Sequence, residues 1–64
     1  MRLYNYHDGF AIVERSAYDK YKTGAYVYRI LNDKEEAYRN KVSMENCDGI
    51  PYAVYDCKNK KLVY

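Results

Sequence analysis

Sixty-four residues with a net charge of +2, ten tyrosines, one phenylalanine and no tryptophan describe one small domain, and a chain of that length buries only about 60% of the surface it exposes when unfolded. The charge is too weak to select nucleic acid by itself, and no apolar run approaches the length of a membrane span. One histidine and two cysteines outside any CxxC spacing leave little for catalysis or metal binding.

Arg2 to Arg15 reads as a β-hairpin. Leu3-Tyr4-Asn5-Tyr6 and Phe10-Ala11-Ile12-Val13 are joined at Asp8-Gly9, a dipeptide that supplies the positive φ angles of a tight turn. Ser16 to Gly24 is polar and fits either a loop or one helical turn capped by Ser16, in which Tyr18 and Tyr21 share a side. Ala25 to Leu31 is the clearest strand, rich in aromatic and β-branched residues. Strict alternation sets Tyr26, Tyr28 and Ile30 on one face and Ala25, Val27, Arg29 and Leu31 on the other.

Asn32 is the expected N-cap of a helix from about Asp33 to Asn46, with Glu35 completing a capping-box-like start and Gly49 near the stop. Ala37, Tyr38, Val42 and Met44 form only a narrow apolar stripe, so this helix must lie across a sheet. Pro51 then opens a last pair of strands, Pro51 to Tyr55 and Leu62 to Tyr64, joined by Asp56 to Lys61. The order β-β-β-α-β-β predicts an α+β fold, a mostly antiparallel sheet with one helix packed on one face.

Charge is distributed unevenly along this plan. Residues 1–31 carry five basic and three acidic side chains, residues 32–49 three and five, and residues 50–64 three and one. The helix is therefore acidic and the flanking strands mildly basic. A charged helix surface is by default a solvated face.

The aromatic composition carries the functional reading. A tyrosine ring has an apolar body and a polar tip, which suits half-wet interfaces better than a dry core. If the helix covers the face of Leu3, Phe10, Ile12, Val27, Leu31, Val54 and Leu62, then Tyr4, Tyr6, Tyr26, Tyr28 and Tyr55 project from the other face as a tyrosine platform. A one-residue slip reverses a strand's faces, so the register decides. The opposite placement, with Tyr26, Tyr28 and Ile30 under the helix, is favoured by Arg29, since arginine is rarely buried unpaired.

These residues predict a non-enzymatic, self-associating interaction protein that binds a partner protein through its tyrosine-rich sheet face. The candidate binding residues are those five tyrosines with Arg29, Lys58, Lys60 and Lys61. The alternative is a nucleotide or single-stranded nucleic acid binder using the same rings, each stacked base being worth about 1–3 kcal/mol. One form of it would sequester a nucleotide signalling molecule in pockets at subunit interfaces. No Gly-rich phosphate loop and no RNP-type motif accompany the rings.

His7 beside Asp8 is explained by turn chemistry rather than as a general base. Cys47 and Cys57 read as reduced thiols, with a disulfide requiring the last turn to fold back onto the helix end. Cys47, Cys57 and His7 lack metal-ligand spacing, and no cofactor is expected. Met1 leads directly into a strand-like pattern without a signal peptide, which predicts a cytoplasmic location. In brevity and in its Tyr, Lys and Asn usage the chain resembles small accessory proteins of bacteriophages, a class that inhibits host proteins or sequesters signalling molecules. That resemblance rests on composition as a whole and assigns no residue a role.

Overall fold

The computed structural model describes residues 1–64. Its elements in chain order are β1 (Phe10–Glu14), α1 (Arg15–Tyr21), β2 (Arg29–Leu31), α2 (Lys34–Asp48), β3 (Tyr52–Asp56) and β4 (Lys61–Leu62), with 3-10 turns at Leu3–Asn5 and Lys22–Gly24. The strands form one antiparallel sheet in the order β2-β1-β3-β4. The expected α+β class holds, and the details that differ decide where a site can form.

The sheet is the middle layer of three. All five residues of β3 are buried, which requires cover on both faces. On one side Ile12, Val54 and Tyr52 pack under Ala37 of α2, with Phe10, Leu31 and Met44 against them. On the other, Ala11, Val13, Ala53, Tyr55 and Cys57 meet Leu3, Ala25 and Val27, closed over by Tyr6, Ala17 and Tyr18. The open tyrosine face expected opposite the helix is thus occupied by the N-terminal turn and α1. Tyr55 is part of that second core rather than of an exposed platform.

Leu3 explains why the first strand is absent. Paired beside β1 as a hairpin, Leu3–Tyr6 would leave the second sheet face bare. As a 3-10 turn it lays Leu3 on that face at 1% exposure, and the two neighbours of β1 become β2 and β3. The Ser16–Gly24 segment divides between α1 and the Lys22–Gly24 3-10 turn, and α1 begins after Glu14 with no side-chain cap, so Ser16 is not the capping residue.

The alternation expected over Ala25–Leu31 breaks at Tyr28. Ile12 pairs with Arg29, yet the Tyr28 N–H also donates to Ile12 O at 2.9 Å, so two residues oppose one. That arrangement is a β-bulge, which resets which side each following residue faces. Val27 consequently enters the Leu3 cluster while Leu31 packs on the α2 side. Phe10, Ile12, Leu31 and Val54 lie under α2 as expected, whereas Leu3, Val27 and Leu62 belong to the opposite layer.

Helix α2 has the expected ends with one change of residue. Asp33, not Asn32, is the N-cap, its carboxylate accepting the Glu36 N–H at 2.9 Å. Gly49 closes the helix in the left-handed conformation, donating to Glu45 O at 2.8 Å. Glu45 ties the helix to the sheet, since its Oε2 accepts the Tyr52 N–H at 2.9 Å and Oε1 lies 3.4 Å from Lys41 Nζ. The Tyr52 amide, ahead of Lys41, holds the Glu45 carboxyl below its usual range, with burial opposing.

Gly9 and Gly49 both have positive φ, 82° and 70°, but their surroundings differ. A Cβ on Gly9 would sit 3.0 Å from Leu31 O and 3.4 Å from the Ile30 side chain, whereas one on Gly49 would meet nothing within 4 Å. Gly49→Ala should therefore cost about 1 kcal/mol for the backbone conformation alone. Gly9→Ala adds a clash with a strand carbonyl and should cost about 2–3 kcal/mol. Equal losses in parallel denaturant titrations would show that the Leu31 carbonyl moves aside freely.

Candidate functional site

Two separate regions gather the tyrosines that strand alternation alone would join in one platform. The first lies along the free edge of β2. Backbone bonds from Leu3 N–H to Ala25 O and from Val27 N–H to Met1 O, both 2.9 Å, close the outer side of residues 25–27. Beyond the bulge the edge opens. Gly9 O and the Arg15 N–H bond residues beyond β3's two ends, so the odd-numbered residues of β1 face β3, and Phe10 and Ile12 face β2. Their partners Leu31 and Arg29 point inward, and Ile30 between them directs its N–H and C=O away from the sheet.

Met1, Tyr26, Tyr28 and Ile30 are exposed along this edge, at 64%, 50%, 46% and 40%. Tyr28 is fixed between two rings, edge-on to Tyr26 at 5.1 Å and to Tyr52 at 5.7 Å between centroids. Its hydroxyl donates to Glu14 Oε1 at 2.7 Å, and that of Tyr52 donates to Asp48 Oδ2 at 2.7 Å. Each phenol is held protonated by its carboxylate: Tyr28 is raised by the Glu14 bond first and burial second. Tyr52 is pushed up to about 12 by the Asp48 bond first and burial second. The row of rings therefore runs between two negative groups. Beside it a shallow depression of about 300 Å³ is lined by Arg29, Asn40, Ser43, Met44, Cys47 and Asp48.

The second region is a cleft of about 210 Å³ between the N-terminal turn and the β3–β4 turn, lined by Leu3, Tyr4, Tyr6, His7, Thr23, Tyr55, Cys57 and Lys60. Its floor is rigid. Tyr55 stands 5.8 Å from the Tyr18 ring, and Cys57 is buried with a thiol raised chiefly by desolvation. The lysine-bearing turn is organised by Asp56, whose carboxylate accepts the Lys58 and Asn59 N–H groups at 3.0 and 3.1 Å and Asn59 Nδ2 at 2.8 Å. Those Asn59 bonds, ahead of the Lys58 amide, keep the carboxyl below its ordinary range. Lys60 follows in the left-handed region with φ 59°.

The basic candidates diverge. Arg29 Nη1 donates to Asn40 Oδ1 at 2.8 Å and is held on α2. Lys58 lines a polar depression with Asp8, Asn32 and Asn59, Lys60 lines the cleft, and Lys61 lies on β4. No single face offers these cations to a phosphate backbone together with the tyrosine row. His7, Thr23 and Cys57 enter the cleft without any local signal in the sequence, since only the N-terminal turn and the β3–β4 turn meeting in space make them neighbours. Glu14 is likewise joined to the tyrosine row only by a tertiary hydrogen bond, whereas Asp48 reaches Tyr52 across the short α2–β3 connection. Both cysteines are free, Cys47 exposed and Cys57 buried.

No helix of the structure is long and apolar enough to cross a membrane. Compared with protein-family models, curated proteins and solved structures, the chain matches none.

Proposed function

We propose that the protein is a small recognition module that binds an extended, basic segment of a partner protein along the β2 edge. The observation that carries this reading is the juxtaposition of the half-exposed Tyr26 and Tyr28 rings with the outward-facing backbone of Ile30. An added strand takes main-chain hydrogen bonds from such an edge and draws its specificity from the flanking side chains. Tyrosine suits the flanks because it offers a large amphipathic contact at small ordering cost. A lysine or arginine of the segment would rest on the ring faces and answer the negative charge of Glu14 and Asp48. Holding such a segment would inhibit the partner or bridge it to another protein.

The test is affinity selection of the immobilised protein against a library of random peptides, followed by calorimetric titration of the enriched sequences. Enriched peptides should combine strand-forming residues with Arg or Lys. Tyr26→Ala/Tyr28→Ala should weaken them at least about thirtyfold, the loss of one aromatic hot spot of about 2 kcal/mol or more. Both rings are half-exposed and belong to neither buried cluster, so the variant should keep its fold, checked by circular dichroism. Enrichment of acidic peptides, or unchanged affinity in the double variant, would reject the reading. A concentration-dependent dimer in sedimentation, abolished by the same substitutions, would replace the foreign segment with a second copy of this chain.

A further inference from the structure

The cleft beneath the N-terminal turn is chemically unlike the β2 edge. Tyr55 lines its floor at 5% exposure, and its hydroxyl makes no hydrogen bond within the molecule. No side-chain polar atom sealed from solvent is left unpaired, so this hydroxyl reaches solvent, and the cleft is the opening that Tyr55 lines. A phenol ring held in a core by Leu3, Val13 and Tyr18, with its one polar atom left to the opening, is an orienting group for something bound there.

The remaining lining narrows what that is. Tyr4, Tyr6 and Thr23 add hydroxyls, His7 a ring nitrogen donor and Lys60 an ammonium, and no carboxylate or carboxamide lines the space. Lys60 is the one charged side chain of the lining, while the Asp56 and Asp8 carboxylates lie near enough to the floor to add to burial in pushing the Cys57 thiol up, so an anion is favoured at the Lys60 rim and not at the floor. The aromatic and aliphatic walls favour a flat apolar body. A volume of about 210 Å³ exceeds the roughly 150 Å³ of a cavity that takes benzene and falls below the roughly 300 Å³ at which pockets for drug-sized ligands begin. One ring fits, with its charged substituent at the rim.

We infer that this cleft binds a single aromatic or heteroaromatic ring carrying one anionic group, the ring against Tyr4, Tyr6 and the Tyr55 hydroxyl and the anion at Lys60. A carboxylate on the ring or a phosphate on an attached sugar meets this description equally. The site is independent of the β2 edge, and neither reading depends on the other.

Benzoate and uridine monophosphate, with benzyl alcohol and uridine as neutral counterparts, should be titrated into isotope-labelled protein and followed by amide chemical shifts. At least one anion should shift the amides of Tyr6, His7, Cys57 and Lys60 and bind about tenfold or more tightly than its neutral counterpart, as expected for one charge-assisted hydrogen bond. Lys60→Gln should erase that preference. Tyr55→Phe, which keeps the ring in the core, should weaken binding severalfold with little change in melting temperature. A preference for uridine monophosphate would make the ligand a nucleotide, and a preference for benzoate a simple aromatic acid. The inference fails if no probe shifts the cleft amides at millimolar concentration, if neutral rings bind as well as anions, or if Lys60→Gln and Tyr55→Phe change nothing.

Discussion

Truncating Leu3 to alanine will lower the unfolding free energy by about 2–5 kcal/mol, the range for a large aliphatic removed from a packed core. At about 0.05–0.15 kcal/mol per residue, a chain of this size has a total stability of roughly 3–10 kcal/mol, so one side chain near the N-terminus governs much of it. Leu3 is 1% exposed and is among the largest fully buried side chains. It packs against Ala11, Val13, Ala53 and Tyr55, and the small alanines on that face give a truncated site little to collapse into. Its N–H also bonds Ala25 O, so the N-terminal turn and the floor of the cleft loosen together. Urea titration should show a midpoint shift at little changed slope. A loss under about 0.5 kcal/mol, the size of a surface substitution, would mean that the N-terminal turn does not cover the sheet.

Raising the pH from about 10 to 12 should progressively lower the stability of the protein, read as a falling urea midpoint across that window. Tyr28, Tyr52 and Tyr55 all ionise above the ordinary 10.0, Tyr52 at about 12. The causes are the carboxylate bonds at Tyr28 and Tyr52, and desolvation at Tyr55. A group whose folded pKa is raised contributes its full stability below its unfolded pKa and loses that contribution as pH climbs through the folded value. Between pH 10 and 12 the unfolded chain releases protons from these phenols that the folded chain retains, so the equilibrium moves toward unfolding.

Tyr52→Phe isolates the largest of these shifts. The variant should be the less stable protein at neutral pH, having lost the Asp48 bond, and should approach wild type as pH passes 10. The protons released on unfolding in that window should fall by about one. A gap between the two proteins that is constant across pH would show that the Asp48 bond does not set the Tyr52 ionisation. The acidic limb has the opposite sign. Glu45 and Asp56 are held below their ordinary values, so their contributions stand above those values and disappear as pH falls through the depressed ones.

The amino-acid sequence by itself determined the α+β class, the position of α2, its stop at Gly49, and the β3 segment after Pro51. Each of these is written in local chemistry: acidic residues in the first turn of a helix, a residue that tolerates positive φ at its end, a short run rich in aromatic and β-branched residues. Asp8-Gly9 was legible as a turn, and the positive φ of Gly9 bears that out, yet the turn does not pair the segments on either side of it. Only the tertiary structure decided that. Leu3 gains more by burial on an uncovered sheet face than by edge pairing, and this competition depends on how much of that face the rest of the chain leaves bare.

The same reason splits the tyrosines. A bulge at Tyr28 turns Val27 inward and leaves Tyr26 and Tyr28 outside, a change of one residue in register that no propensity encodes. Tyr55 alternates as expected within β3, but whether its side of the sheet is wet or dry depends on where residues fifty positions earlier come to rest. Composition identified tyrosine as the residue to watch. The long-range contacts distributed those rings between a core, an edge and a cleft, because side-chain burial is settled by the whole set of layers rather than by any one strand.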